Sequence, residues 1–288
     1  MPKLAPEQNL TMNDRQECSP MTMSETLRET LRETLGTAKR IVVKVGSSSI
    51  SGEREHQITG LVDALGAWRA GGREVVVVSS GAIAIGAPFL QLSDRPQDLA
   101  TQQAAAAVGQ ALLMARYQGL FEKYSMITGQ VLLTVGDMEN DTHRTNALRT
   151  MERLLGLGII PIVNENDTVA TQEIRFGDND RLAAMVAELV QADLLVLLSD
   201  VDGLYTKPPS EPGATKIDVV PFGMDLEGIE LGAALVNSVG TGGAVTKVSA
   251  AKMATSVGIP TVLAATESLA RVVAGEVTGT WFQAADLH

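Results

Sequence analysis

A lysine stands inside the apolar run Ile41-Val42-Val43-Lys44-Val45 and is followed at once by Gly46-Ser47-Ser48-Ser49. Ser79-Ser80-Gly81 follows a second apolar run, and Asn164-Glu165-Asn166-Asp167 and Gly177-Asp178-Asn179-Asp180 frame a third polar region. Ser199-Asp200-Val201-Asp202-Gly203 and Gly240-Thr241-Gly242-Gly243-Ala244-Val245-Thr246-Lys247 complete the set. Two lysines converging on one cleft, with Asp180 to orient them, suit phosphoryl transfer, because charge spread over a transferring phosphoryl group must be offset by fixed cations. The glycine run ahead of Lys247 lets backbone N–H groups approach an anion, and a helix start there adds partial positive charge. The same glycines also suit a plain helix-capping turn. His56, His143 and His288 lie outside every one of these motifs. A hydroxyl acceptor calls for a general base, whereas a carboxylate, with a pKa of about 4, is already an ionised nucleophile at neutral pH.

Composition narrows the field. Acidic residues outnumber basic ones 34 to 23, for a net charge of -11, so a nucleic-acid surface is not expected and any phosphate must meet a local cationic pocket. The single cysteine, Cys18, cannot form an internal disulfide and fits a reducing compartment. His/Cys metal clusters are excluded for want of residues, and no metal-ligating set is expected. No apolar stretch of about 18 residues is present to span a bilayer, and Glu25, Glu29 and Glu33 argue against a transit peptide, so a cytoplasmic protein is expected.

The elements that must position these residues are legible as short apolar runs alternating with helical periodicity. Strands are expected over residues 41–45, 74–78, 130–134, 159–163, 194–198 and 260–263, and helices over about 58–70, 104–124 (one or two), 146–155 and 181–190, with 239–247 opening a further helix that reaches about 257. Runs without polar alternation are buried on both faces, which means parallel strands covered by helices. The fold class is therefore α/β: a three-layer αβα sandwich with a mostly parallel central sheet. Most of the polar motifs directly follow a strand, so they should share the rim where open α/β sheets bind ligands. Two competing readings go with this placement. Lys44 would snorkel outward if its strand lay at an edge, and the Asn-Asp knots would bond only within their own turns. Residues 1–38 form a polar leader in which Leu27, Leu31 and Leu35, four apart, make either a docked helix or a frayed arm.

Taken together, VVKVGSSSI at 42–50, VVVVSSGAIAIG at 75–86, IIPIVNENDTVAT at 159–171, FGDNDRLAAMVA at 176–187, LLSDVDGLYT at 197–206 and GTGGAVTK at 240–247 resemble the glutamate 5-kinases of the amino acid kinase family. The resemblance runs over about residues 40–282 and implies ATP-dependent phosphorylation of the side-chain carboxylate of L-glutamate, on the route to proline. It implies that Lys44, Lys247 and Asp180 are catalytic and that Ser80, Gly81, Asp167 and Asn179 bind glutamate. ATP would be held by Lys44, Ser199, Asp200, Thr241, Gly242, Gly243, Ala244, Val245, Thr246 and Lys247, with Mg²⁺ carried on its phosphates. Glutamyl phosphate reductase as a partner, proline as a feedback inhibitor and a homo-oligomer, dimer or tetramer, are further implications. Residues 39–288 are expected to be the kinase domain, with an acceptor part over 39–172, a nucleotide part over 173–288 and no additional carboxyl-terminal domain. Where relatives carry LLTR-x-D, this chain has Leu132-Leu133-Thr134-Val135-Gly136-Asp137, without the arginine. The same fold serves kinases for N-acetylglutamate, aspartate or a nucleoside monophosphate, and a sensor that binds amino acids without turnover is the reading from another class. An aspartate at 167 favours free glutamate, whose ammonium it can pair, over the N-acetylated form.

Overall fold

The fold is known from a computed structural model, which describes residues 23–54, 56–91, 96, 98–169, 179–226 and 243–286. Its strands are β1 (Arg40–Val45), β2 (Glu74–Ser79), β3 (Thr128–Leu133), β4 (Ile160–Glu165), β5 (Leu194–Ser199), β6 (Leu204–Tyr205), β7 (Lys216–Ile217), β8 (Val219–Val220), β9 (Thr261–Ala265) and β10 (Thr280–Phe282). The helices are α1 (Glu25–Thr37), α2 (Gln57–Ala70), α3 (Ala82–Gly86), α4 (Leu99–Glu122), α5 (Val135–Glu139), α6 (Asp141–Gly156), α7 (Asn179–Leu189), α8 (Ala244–Ser256) and α9 (Leu269–Val273).

An eight-stranded sheet in the order β3-β4-β2-β1-β5-β9-β10-β8 forms the middle layer. Within this sheet β3, β4, β2, β1, β5 and β9 pair in parallel, as their apolar runs predict, and β10 pairs antiparallel with β9; β6 and β7 form a separate antiparallel pair. Alternation along each strand feeds two separate cores. Ile41, Val43 and Val45 join Val75, Leu113, Phe121 and Trp281 on one face, whereas Val42, Val76 and Val78 join Met151, Leu182, Val186 and Val248 on the other. Helices therefore cover both faces, giving the expected three layers.

Two features matter for the site. β1 lies between β2 and β5, so the edge-strand reading of Lys44 does not hold. With β2, β4 and β3 on one side of β1 and β5 and β9 on the other, the chain reverses its direction of progress at β1, and the crevice beyond that strand is where such sheets take ligands.

Local differences from the sequence reading have simple causes. β4 does not stop at Val163 but runs through Asn164 and Glu165, because Leu132 and Leu133 of β3 continue the ladder beside them. Backbone pairing is indifferent to side-chain polarity once the side chains find partners. Thr134, expected to end β3, instead caps α5: its hydroxyl accepts from Asp137 N at 3.1 Å, and Asp137 Oδ2 accepts from Thr134 N at 2.8 Å. α1 is docked. Ser24 caps it, Leu31 and Leu35 are buried with Met23 and Leu27 packed alongside, and the Arg73 guanidinium donates to the carbonyls of Leu35, Gly36 and Ala38 at its end. Cys18 and the rest of residues 1–22 lie outside the described residues. Among the described residues no helix is long and apolar enough to cross a membrane.

Candidate active site

Lys44 follows Val42 by two residues and so faces the same side of the sheet, toward α7 and α8. There it meets Asp180, in the first turn of α7, with Nζ 2.7 Å from Oδ1. Lys247, in the first turns of α8, brings its Nζ to 3.1 Å from the other oxygen, Oδ2. The Thr246 hydroxyl donates to that same oxygen at 2.8 Å. The three charged side chains are 4%, 1% and 7% exposed for Lys44, Asp180 and Lys247. Burial pushes the Asp180 carboxyl up, but the Lys44 and Lys247 charges outweigh it and hold the group below the usual carboxylate range. Two ammonium groups and one carboxylate thus meet in a desolvated place, on a protein that is strongly acidic overall.

Beside this triad, the ends of β2 and β4 and the start of α7 form a polar cluster. Asn179 Nδ2 donates to Ser79 O (3.1 Å), Ser80 Oγ (2.9 Å) and Asn164 Oδ1 (2.9 Å). Asn164 and Asn179 thus bridge separate segments and are not confined to their own turns. Asn166 does fit the self-bonded reading, since its side chain accepts from the Thr168 hydroxyl at 2.7 Å. Gly81 holds φ at 100°, the left-handed region that glycine takes without strain, and turns the chain from β2 into α3. The seat of Ser80 and Gly81 is fixed from behind by a backbone crossing. A Cβ at Gly86 would stand 1.9 Å from Ala105 O, and one at Gly109 would stand 1.7 Å from Ala82 O, so α3 and α4 pack at a distance only glycine permits.

Asp167 lies in the turn after β4, mostly buried, and its carboxyl is pushed up to about 7, chiefly by burial and then by the neighbouring Glu165 charge. Among the described residues no cation pairs with it. A cationic group placed there would restore its ionised form.

On the β5 side, Ser199 and Asp200 are tied to the loop after β1. Ser48 donates to Asp200 Oδ1 at 2.7 Å, Arg54 pairs with the same oxygen at 3.1 Å, and Thr266 reaches both Ser49 Oγ (2.7 Å) and Ser199 O (3.4 Å). Gly243 caps α8 with extended backbone, Ala244 opens the helix, and Val245 projects outward. Thr241 and Gly242 lie outside the described residues.

Lys44, Asp180, Lys247, Ser80, Gly81 and Asn179 are therefore gathered at one rim, with Ser199 and Asp200 on its β5 side. The sequence reading placed Thr246 only in the nucleotide loop and missed its bond to Asp180. It also missed Gln110, whose Oε1 accepts from Asn164 Nδ2 at 2.8 Å, as well as Arg54 and Thr266. Gln110 left a faint signal, a polar residue among the alanines and leucines of α4; Arg54 and Thr266 left none. Among the described residues no three His, Cys, Asp or Glu side chains are grouped to hold a metal ion.

The model of the amino acid kinase family matches residues 39–265. A glutamate 5-kinase of Clavibacter sepedonicus is 63% identical over 248 residues, covering 86% of this chain and 95% of the relative. One from Leifsonia xyli subsp. xyli is 64% identical over 246 residues, covering 85% and 91%. Among solved structures, carbamate kinase from Giardia lamblia bound to AMP-PNP superposes with a TM-score of 0.62 at 14% identity, over 86% of this chain and 99% of the other, a likeness of fold. With a family model spanning most of its length and relatives nearly two-thirds identical over most of both chains, this chain belongs to the amino acid kinase family and groups there with the glutamate 5-kinases.

Proposed function

We propose that the chain transfers the terminal phosphoryl group of ATP to the side-chain carboxylate of L-glutamate, giving glutamyl 5-phosphate and ADP. The observation that carries this reading is the buried Lys44–Asp180–Lys247 triad, at the sheet rim that also holds Ser80, Gly81 and Asn179, together with the Asp167 carboxyl in the turn after β4, which burial and Glu165 push up. The two halves of the reaction draw on these in turn.

The γ-phosphoryl group would meet the Lys44 and Lys247 ammonium groups. As a glutamate carboxylate oxygen bonds to phosphorus, the bond from phosphorus to the β–γ bridging oxygen breaks and its electrons leave with ADP. The nucleophile is already ionised, so no proton moves and no general base is required. Lys44 and Lys247 offset charge on the transferring and leaving oxygens, each such pair worth on the order of 4 kcal/mol at 4 Å for an effective dielectric of about 20. Asp180 and Thr246 hold the Lys247 end of this arrangement in place before substrate arrives, which is the preorganisation that electrostatic catalysis depends on.

Asp167 would receive the substrate ammonium, and Ser80, Gly81 and Asn179 would line the rest of the acceptor pocket. An N-acetylated substrate has no ammonium and would leave Asp167 uncompensated, which favours the free amino acid. Ser199, Asp200 and the residues from Thr241 to Lys247 would hold the nucleotide. Both Asp180 oxygens are already engaged, so Mg²⁺ would ride on the nucleotide phosphates, screening their charge. On this reading the acceptor part is 39–172 and the nucleotide part 173–288. The acyl phosphate would pass to a glutamyl phosphate reductase in the cytoplasm, proline would act as a feedback inhibitor, and the enzyme would work as a homo-oligomer.

The test is to incubate the chain with ATP, Mg²⁺ and, separately, L-glutamate, N-acetyl-L-glutamate and L-aspartate, trapping acyl phosphate as hydroxamate. Hydroxamate with glutamate alone is expected. Product with N-acetylglutamate and none with glutamate would reject the assignment.

A further inference from the structure

α8 joins two ends of the molecule. Its first turns carry Lys247 at the rim already described, and its last turn reaches the opposite edge of the sheet, where Phe282 of β10 stands beside Thr261 at the start of β9 and Val220 at the end of β8. Between that turn and the chain leaving β8 lies a cavity of about 340 Å³. Small-molecule sites have volumes from about 300 Å³ upward. None of the residues placed at the catalytic rim borders this one.

Its walls are fixed by bonds of their own. Val220 and Phe282 are buried, and Gln283 N donates to Val220 O at 2.9 Å beneath them. Pro221 to Met224 form a closed turn, with Met224 N donating to Pro221 O at 3.1 Å and Gly223 at a φ of 75°, and this turn holds Phe222 out as a lip, 53% exposed. On the α8 side Thr255 is buried; its hydroxyl donates to Lys252 O at 3.2 Å, and its carbonyl takes Ala285 N at 2.9 Å.

The lining selects a class of ligand. Val220, Phe222, Met224 and Phe282 make an apolar slot whose aromatic and thioether surfaces suit a flat ring. Lys252 borders the slot and is exposed, and among the described residues nothing pairs with its ammonium, whereas Asp225, which also borders it, already has a partner. A lone ammonium beside an apolar slot, on a chain of net charge -11, is matched by an anion. That anion should carry a single charge, because one free cation serves it and the carboxyl-terminal turn of α8 adds partial negative charge nearby, which disfavours a phosphate dianion.

We propose that this cavity is a second ligand site, for a planar aromatic carboxylate whose ring packs on Phe222 and Phe282 and whose carboxylate meets Lys252. The probes are 1-naphthylacetate and its uncharged amide, 1-naphthylacetamide, titrated into the full-length chain and followed by naphthalene fluorescence. The acid should bind saturably with a Kd of about 1 mM or tighter, as expected for a ligand of this size. Saturating ATP with Mg²⁺, or saturating L-glutamate, should leave that Kd within about twofold, since the two sites share no residue. Lys252→Met should weaken the acid about tenfold or more, the loss of a charge-assisted bond, and leave the amide within about twofold. Lys252→Arg keeps the charge and should hold the acid within about threefold. Phe222→Ala should weaken acid and amide alike, by about fivefold, through lost apolar contact. Lys252 is exposed, so neither of its variants should disturb folding, and Phe222→Ala tests the slot independently of them. No saturable binding of the acid below about 10 mM, displacement by ATP or glutamate, equal losses of acid and amide in Lys252→Met, or unchanged affinity in Phe222→Ala would each overturn the inference.

Discussion

Asp167 offers a perturbation whose size follows from its surroundings. Its carboxyl is raised from the ordinary 3.8 to about 7 by burial and by Glu165. At about 1.4 kcal/mol per pH unit, ionising it in the ligand-free protein costs on the order of 4 kcal/mol, an upper bound because the turn keeps some contact with water. If a substrate ammonium pairs with the ionised form, glutamate affinity should be constant above pH 7 and fall about tenfold for each pH unit below it. Asp167→Asn should flatten that profile and, at pH 8, weaken glutamate binding on the order of 100-fold, the worth of a charge-assisted pair, with KM for ATP unchanged. Stability should move the opposite way. A group whose folded pKa lies above its unfolded value contributes stability fully present below about pH 4 and lost as pH rises to about 7. The asparagine variant without ligand should therefore unfold at higher denaturant than the parent at pH 8, and the difference should vanish near pH 4. Calorimetric titration of glutamate from pH 5.5 to 8.5, with urea unfolding at pH 4 and pH 8, measures both effects. A flat affinity profile in the parent chain, or an asparagine variant that binds glutamate equally well, would refute the reasoning.

Other changes reach other parts of the site. Lys247→Ala or Lys44→Ala should lower kcat by about 1000-fold or more with glutamate affinity largely kept, since the cations act on the transferring group. Each should also cost about 3 kcal/mol of unfolding free energy, because Asp180 stays buried with half its compensation. Gly109→Ala drives a methyl into Ala82 O and should cost about 3 kcal/mol while raising KM for glutamate, through displacement of the Ser80–Gly81 turn. Deleting residues 1–37 removes buried Leu31 and Leu35, at roughly 1.5–3 kcal/mol each, and should lower stability by roughly 3 kcal/mol in urea without changing the kinetic constants for glutamate.

The strands of the central sheet were legible because burial on both faces demands mostly apolar runs, and Val75–Val78, Leu194–Leu198 and, apart from Lys44, Ile41–Val45 supply them. A lysine inside one such run, placed before a small-residue loop, was enough to mark the rim, and the spacing of Val42 and Lys44 already put both on one face. The sequence by itself thus determined the layers, the parallel sheet and the residue types at its carboxyl edge. It did not determine which strand is central: the order that places β1 between β2 and β5 comes from pairing between distant segments, and with it the choice between a snorkelling and a buried Lys44. Nor could it show that the Asp180 carboxylate is shared with a lysine 67 positions away, that Asn179 reaches a serine 99 positions back, or that Gln110 accepts from Asn164. Local patterns report burial and backbone preference, which neighbours along the chain impose. Polarity inside a crevice is settled only when separate elements close on one another and each buried donor and acceptor must find its match.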